Sequence, residues 1–124
     1  MTAKELDELD AAIAVGVMGW ERTKLRVQSR HGRHGWSIQD CWCIINADGN
    51  PELAVQCRYF SPTRNKADFL TAWMKAVSGY DAHIYHSSKG FWQVEIGAPF
   101  RDTPSENDDL FIAGCECMRK AVSE

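Results

Sequence analysis

At 124 residues, with 44% hydrophobic and 25% charged side chains, the chain is long enough for one domain around a single core. No apolar run reaches the length of a membrane span, and a net charge of −3 argues against a general nucleic-acid binder. The N-terminal stretch MTAKELDELDAA is acidic and helix-patterned, so no secretory signal is expected, and the expected setting is cytoplasm, the chain's own or that of a host cell.

The charge is unevenly spread. Arg22, Lys24, Arg26, Arg30 and Arg33 share one short segment with His31 and His34. Acids collect at Glu5, Asp7, Glu8 and Asp10, and again at Asp102, Glu106, Asp108 and Asp109. A basic segment on an acidic body can grip phosphates or an acidic protein partner; it can equally be a solvated loop. The five cysteines are odd in number, which predicts free thiols in a reducing compartment.

Residues 3 to 17 read as an amphipathic helix with Leu6, Leu9, Ile13 and Val17 on one face. Thr2 and Glu5 form a capping box at its start. Residues 21 to 37 read as a basic loop insert, with a short edge strand over Lys24 to Gln28 and mobile glycines at Gly32 and Gly35. Ile38 to Ala47 and Leu53 to Phe60 read as an antiparallel pair joined at Asp48-Gly49-Asn50-Pro51. Cys41 and Cys43 fall on one side of the first of these strands.

Ser61 to Val77 holds a second helix, capped by Asn65 with Asp68 in its first turn. Phe69, Leu70, Trp73, Met74 and Val77 predict its apolar stripe. Tyr80 to His86 and Phe91 to Ile96 predict a second hairpin, with Trp92, Val94 and Ile96 on one face. A loop over Gly97 to Pro104 precedes a last helix starting at Ser105, with Leu110, Gly114, Cys117 and Ala121 inward, widened by Phe111 and Met118. The order α-ββ-α-ββ-α with antiparallel hairpins predicts an α+β fold, a single domain over residues 1–124.

No constellation with the spacing of a catalytic or metal site emerges. His31, His34, Cys41 and Cys43 suit zinc by type, but a single residue between thiols is too few for a zinc ribbon. His86-x-Ser88 is half of a two-histidine phosphoesterase motif, and no second His-x-Ser/Thr exists to serve as the partner acid or base. Cys57 beside His83 or His86 would make a Cys–His pair, yet a buried structural thiol is the simpler reading. Neither a resident cofactor nor a metal is expected. Trp, Tyr and Arg are frequent hot-spot residues of interfaces, and Arg beside an aromatic also holds nucleotides. Arg26, Arg30, Arg33, His34 and Trp36 are therefore the candidate residues for binding a partner or a phosphate.

Several boxes resemble one family. These are Leu6, Asp7 and Leu9 in the first helix, then Val17-Met18-Gly19-Trp20, then Tyr59-Phe60-Ser61-Pro62-Thr63 leading into Ala72-Trp73 and Val77. Trp92 and Val94 follow in a strand, then Ala113, Cys117 and Ala121 in the last helix. Together they resemble the phage ABA sandwich domain family, over roughly Leu6 to Val122. The resemblance implies a three-layer α/β/α sandwich in a protein of bacteriophages or prophages, and it brings no catalytic residues. The chain departs from the family's pattern in the Arg- and His-rich segment from Arg22 to Gly35 and in its cysteines. The resulting expectation is a small non-enzymatic phage accessory protein in the host cytoplasm. It would bind and inhibit a host protein, such as a component of anti-phage defence, as a homo-oligomer or in complex with its target. A nucleotide-signal-binding sponge and a structural or assembly module are the alternatives.

Overall fold

The computed structural model describes residues 1–28, 35–97 and 105–122. The elements run α1 (Ala3–Gly16), β1 (Glu21–Gln28), β2 (Trp36–Ile45), β3 (Pro51–Gln56), a 3-10 turn (Cys57–Tyr59), α2 (Lys66–Ala76), β4 (Ala82–His86), β5 (Trp92–Ile96), β6 (Ser105–Asn107) and α3 (Leu110–Val122). The fold is α+β, and the expected alternation of helices and antiparallel strands holds, with a third strand added to each hairpin. Two compact units emerge: Gly19–Phe60, and Met1–Met18 together with Ser61–Glu124. The first is thus inserted in sequence between the two parts of the second.

In Gly19–Phe60, a three-stranded antiparallel sheet has the order β1-β2-β3. Strand β1 is longer than the alternation from Lys24 suggests, and most of the expected loop insert is strand. Its pairing with β2 runs from Glu21 opposite Cys43 to Gln28 opposite Trp36. Leu25 and Val27 cluster with the buried thiols Cys41 and Cys43, which share a face as their spacing requires. The turn into β3 is built by Asn46, whose side-chain oxygen accepts from Asp48 N–H and Asn50 N–H, each at 3.0 Å. Gly49 takes the positive φ of 80° that this turn needs. Strand β3 stops at Gln56; Cys57 to Tyr59 wind into a 3-10 turn instead of extending the strand to Phe60.

In the other unit, Thr2 caps α1, its hydroxyl accepting from Glu5 N–H and donating to the Glu5 carboxylate, each at 3.2 Å. Leu9, Ile13 and Ala14 are the fully buried face of α1. Asn65 caps α2 by accepting from Asp68 N–H at 3.0 Å. The buried stripe of α2 is rotated from the expected one: Phe69 and Ala72 are inward, whereas Leu70 and Met74 are exposed. The last helix also begins later than expected. Ser105–Asn107 pairs with β5 as β6, and Asp109 caps α3 by accepting from Phe111 and Ile112 N–H at 2.8 and 3.1 Å. Helix α3 packs on β5 and β6, and α1 and α2 pack on α3. Helices are thus layered on an antiparallel sheet, β4-β5-β6, as the sandwich reading requires.

One buried carboxylate ties this unit together. Asp10, on α1, accepts from the Ser61 hydroxyl at 2.7 Å, Thr63 N–H at 3.0 Å and the Arg64 guanidinium at 3.0 Å. Arg64 also reaches Asp7 and donates through Nε to the Ser61 hydroxyl at 2.8 Å. The two carboxylates, Asp7 first, push the Arg64 pKa up from its already high value. Replacing Asp10 by Ala removes the acceptor of the buried Thr63 N–H and one partner each of Ser61 and Arg64, and the expected loss is about 1–3 kcal/mol, read as a lower urea midpoint at unchanged m. An unchanged midpoint would remove Asp10 from this role. A second prediction concerns Gly114, where an added Cβ would collide with the ring of the buried Phe69. Alanine's helix propensity gains about 1 kcal/mol, but overpacking costs about 1–3 kcal/mol. The net expectation for Gly114→Ala is destabilisation, reversed when Phe69 is trimmed to Leu in the same chain.

Candidate binding face

The face of β1 opposite its thiol cluster carries Arg22, Lys24, Arg26 and Gln28, all exposed. The register sets them against Trp42, Asp40, Ile38 and Trp36 of β2. Strand alternation does the sorting: every second residue of ERTKLRVQ is polar or charged, so a single register sends the cations to one side and Leu25 and Val27 to the other.

The face is graded from one end to the other. Trp42 is 4% exposed, Trp36 is 55% exposed and Ile38 is 70% exposed. The Arg22 guanidinium lies 5.9 Å from the Trp42 ring centre and 3.4 Å from the Asp40 carboxylate. Lys24 reaches the same carboxylate at 3.6 Å. At the exposed end, the Arg26 guanidinium lies 5.8 Å above the Trp36 ring. A cation over an exposed aromatic face is worth about 0.5–1 kcal/mol, and each exposed ion pair about 0–1 kcal/mol. These contacts orient the side chains far more than they stabilise the fold.

Of the five candidate binding residues, the structure brings Arg26 and Trp36 together. Arg30, Arg33 and His34 lie outside the described residues. Sequence reasoning passed over Lys24, Ile38 and Asp40, which share the face. Their signal was the two-residue spacing that sets Ile38 and Asp40 on the same side of β2 as Trp36, and Lys24 on the same side of β1 as Arg26.

Other chemistry-bearing residues are placed differently. His83 and His86 point to opposite faces of β4. His83 Nδ1 sits 2.6 Å from the Tyr85 hydroxyl, and the His86 ring meets Trp92 with ring centres 4.7 Å apart. They do not form the facing pair that a two-histidine mechanism needs. Among the described residues, no group of three or more His, Cys, Asp or Glu side chains could hold a metal ion. No helix among them is long and apolar enough to cross a membrane.

Four of the thiols are held in their neutral forms. Burial raises the pKa of Cys41, Cys57 and Cys115, and pushes Cys117 up to about 11. An activated nucleophile needs the opposite shift. Native protein at pH 7.5 should therefore react with a thiol reagent at Cys57 alone, the one half-buried cysteine, and at all five after denaturation. The raised values also set a direction at alkaline pH. The unfolded chain ionises Cys117 near 9.0 while the folded chain keeps it neutral until about 11, so stability complete below the first value falls through that window. Urea midpoints at pH 8, 9.5 and 10.5 should show a smaller alkaline fall in Cys117→Ala than in the parent chain.

No family model matches this chain, and no curated protein or solved structure matches it either.

Proposed function

We propose that this is a small non-enzymatic accessory protein that binds an acidic segment of a partner protein on the outer face of β1 and β2. The observation that carries the reading is the Arg26–Trp36 pair, exposed beside Ile38 and Lys24 on an open sheet face. Arg and Trp are the residues that most often dominate interface energetics, and cations at a rim steer an acidic partner and speed association. The resemblance to the phage ABA sandwich domain family supplies the setting. In that reading the partner is a host factor, with a component of anti-phage defence as the first target to test, and inhibition follows from occupying its surface.

A nucleotide signal is the second reading, because Arg26 over Trp36 offers a base a ring to stack on and a phosphate a cation.

The test is capture of host protein by the parent chain and by Arg26→Glu and Trp36→Ala, alongside a thermal-shift panel of linear and cyclic nucleotides. The expected result is one host polypeptide held by the parent and at least about tenfold weaker with either variant, a loss of about 1.4 kcal/mol or more. Both variants should unfold within about 0.5 kcal/mol of the parent, because the altered groups are exposed. A nucleotide that raises the melting temperature, with no effect of the variants on protein capture, would replace the leading reading by the sponge. Turnover of that nucleotide would end the non-enzymatic one.

A further inference from the structure

We infer that the partner segment binds as an added β-strand along the outer edge of β1, and that its recognition code is an acidic residue at every second position. The inference rests on the reading above and specifies its mode.

Strand order leaves β1 at the edge of its sheet, with β2 on its one paired side among the described residues. An edge strand presents a row of backbone N–H and C=O groups that another strand can complete. Along β1, Arg22, Lys24 and Arg26 recur at alternate positions on one face, about 6.8 Å apart by strand geometry. Residues i, i+2 and i+4 of an adjoining strand fall at that same spacing, with side chains directly beside the three cations. Opposite charges on neighbouring strands stabilise each pair by about 0.2–1 kcal/mol, and like charges destabilise it.

Charge complementarity therefore selects the occupant. A second copy of β1 laid antiparallel would bring cations against cations, so the row guards this edge against self-pairing. A single-stranded nucleic acid matches the charge but has no peptide groups to complete the edge. An extended acidic peptide matches both. Asp40, on the β2 side of the row, is shared by Arg22 and Lys24 and so neutralises one of the three charges, leaving capacity for acids on the open side. The other outer edge of this sheet offers no equivalent: β3 opens with Pro51, which lacks an N–H, and Glu52, which repels acids.

The test uses a twelve-residue peptide alternating Glu with Thr. Its controls are the same composition with the acids clustered, and the alternating peptide N-methylated at every second backbone nitrogen in each of the two possible phases. Affinity is read by calorimetry, and the amides of Glu21–Gln28 by hydrogen exchange. Three results are expected together. The alternating peptide binds at least tenfold tighter than the clustered one, it slows exchange in β1, and one N-methylated phase loses binding while the other keeps it. A chain carrying Arg22→Glu, Lys24→Glu and Arg26→Glu should then prefer an alternating Lys–Thr peptide. That reversal of preference cannot come from misfolding.

Equal affinity for the alternating and clustered peptides, without protection of β1, would overturn strand addition while leaving an acid-binding face. Failure of every peptide to bind, while capture of the host polypeptide still requires Arg26, would overturn this mode alone. Capture that is indifferent to Arg26 would overturn the underlying reading as well.

Discussion

The unit formed by the two ends of the chain depends on the carboxylate of Asp10. The chain leaves this unit after Met18 and returns at Ser61, and the return is fixed against α1 just ahead of α2. Asp10 does this by accepting from a hydroxyl, a backbone N–H and a guanidinium supplied by Ser61, Thr63 and Arg64. A buried charge is tolerable only when its lone pairs are used, and here three different donors use them. Asp68, from the first turn of α2, adds a bond from Ser61 N–H at 2.9 Å. The departure is held too: Lys75 of α2 donates to the Met18 carbonyl at 3.2 Å. Within this unit, Ser61 and Met18 are thus both held by α2, one through its first turn and one through its last.

What could be read from the sequence followed how local the cause was. The caps of α1 and α2 were legible because Thr2 and Asn65 act on N–H groups three residues away. The turn at Asn46 to Asn50 was legible for the same reason. The phase of α2 was not. A sum of apolar residues favours the face holding Leu70 and Met74, but the buried face is the one holding Phe69 and Ala72, with the Phe69 ring against Gly114 and stacked on Phe111 of α3. The start of α3 failed similarly. Ser105, Glu106 and Asn107 have the composition of a helix N-terminus, yet pairing with Val94, Gln93 and Trp92 claims them for the sheet. The cap then falls to Asp109.

The candidate face was half legible. Arg26 and Trp36 could be named by type, because arginine and tryptophan stand out in a stretch dense with charge. That they meet could not be known, because it depends on a register spanning a whole hairpin. The strand over Glu21 to Lys24 was obscured by its own charges. Edge strands carry cations as a guard, so the composition that makes a segment look like a loop is also what a well-behaved edge requires.

The gradient along the face gives the charges their meaning. Trp42 and Trp36 sit on the same side of β2, six residues apart, and only Trp42 is buried. Burying a side chain the size of Ile38 stabilises by about 1.5–3 kcal/mol, and the fold forgoes that contribution at the exposed end. The fold also spends only weak contacts there: one cation over a ring, and one carboxylate shared by two cations. A surface with so little committed to internal stability leaves its apolar and charged groups open to solvent. Apolar area supplies affinity to any partner of the right shape, whereas the alternating cations reward only one that brings acids at the matching spacing. Specificity on this face would therefore reside in Arg22, Lys24 and Arg26, and the strength of binding in Trp36 and Ile38.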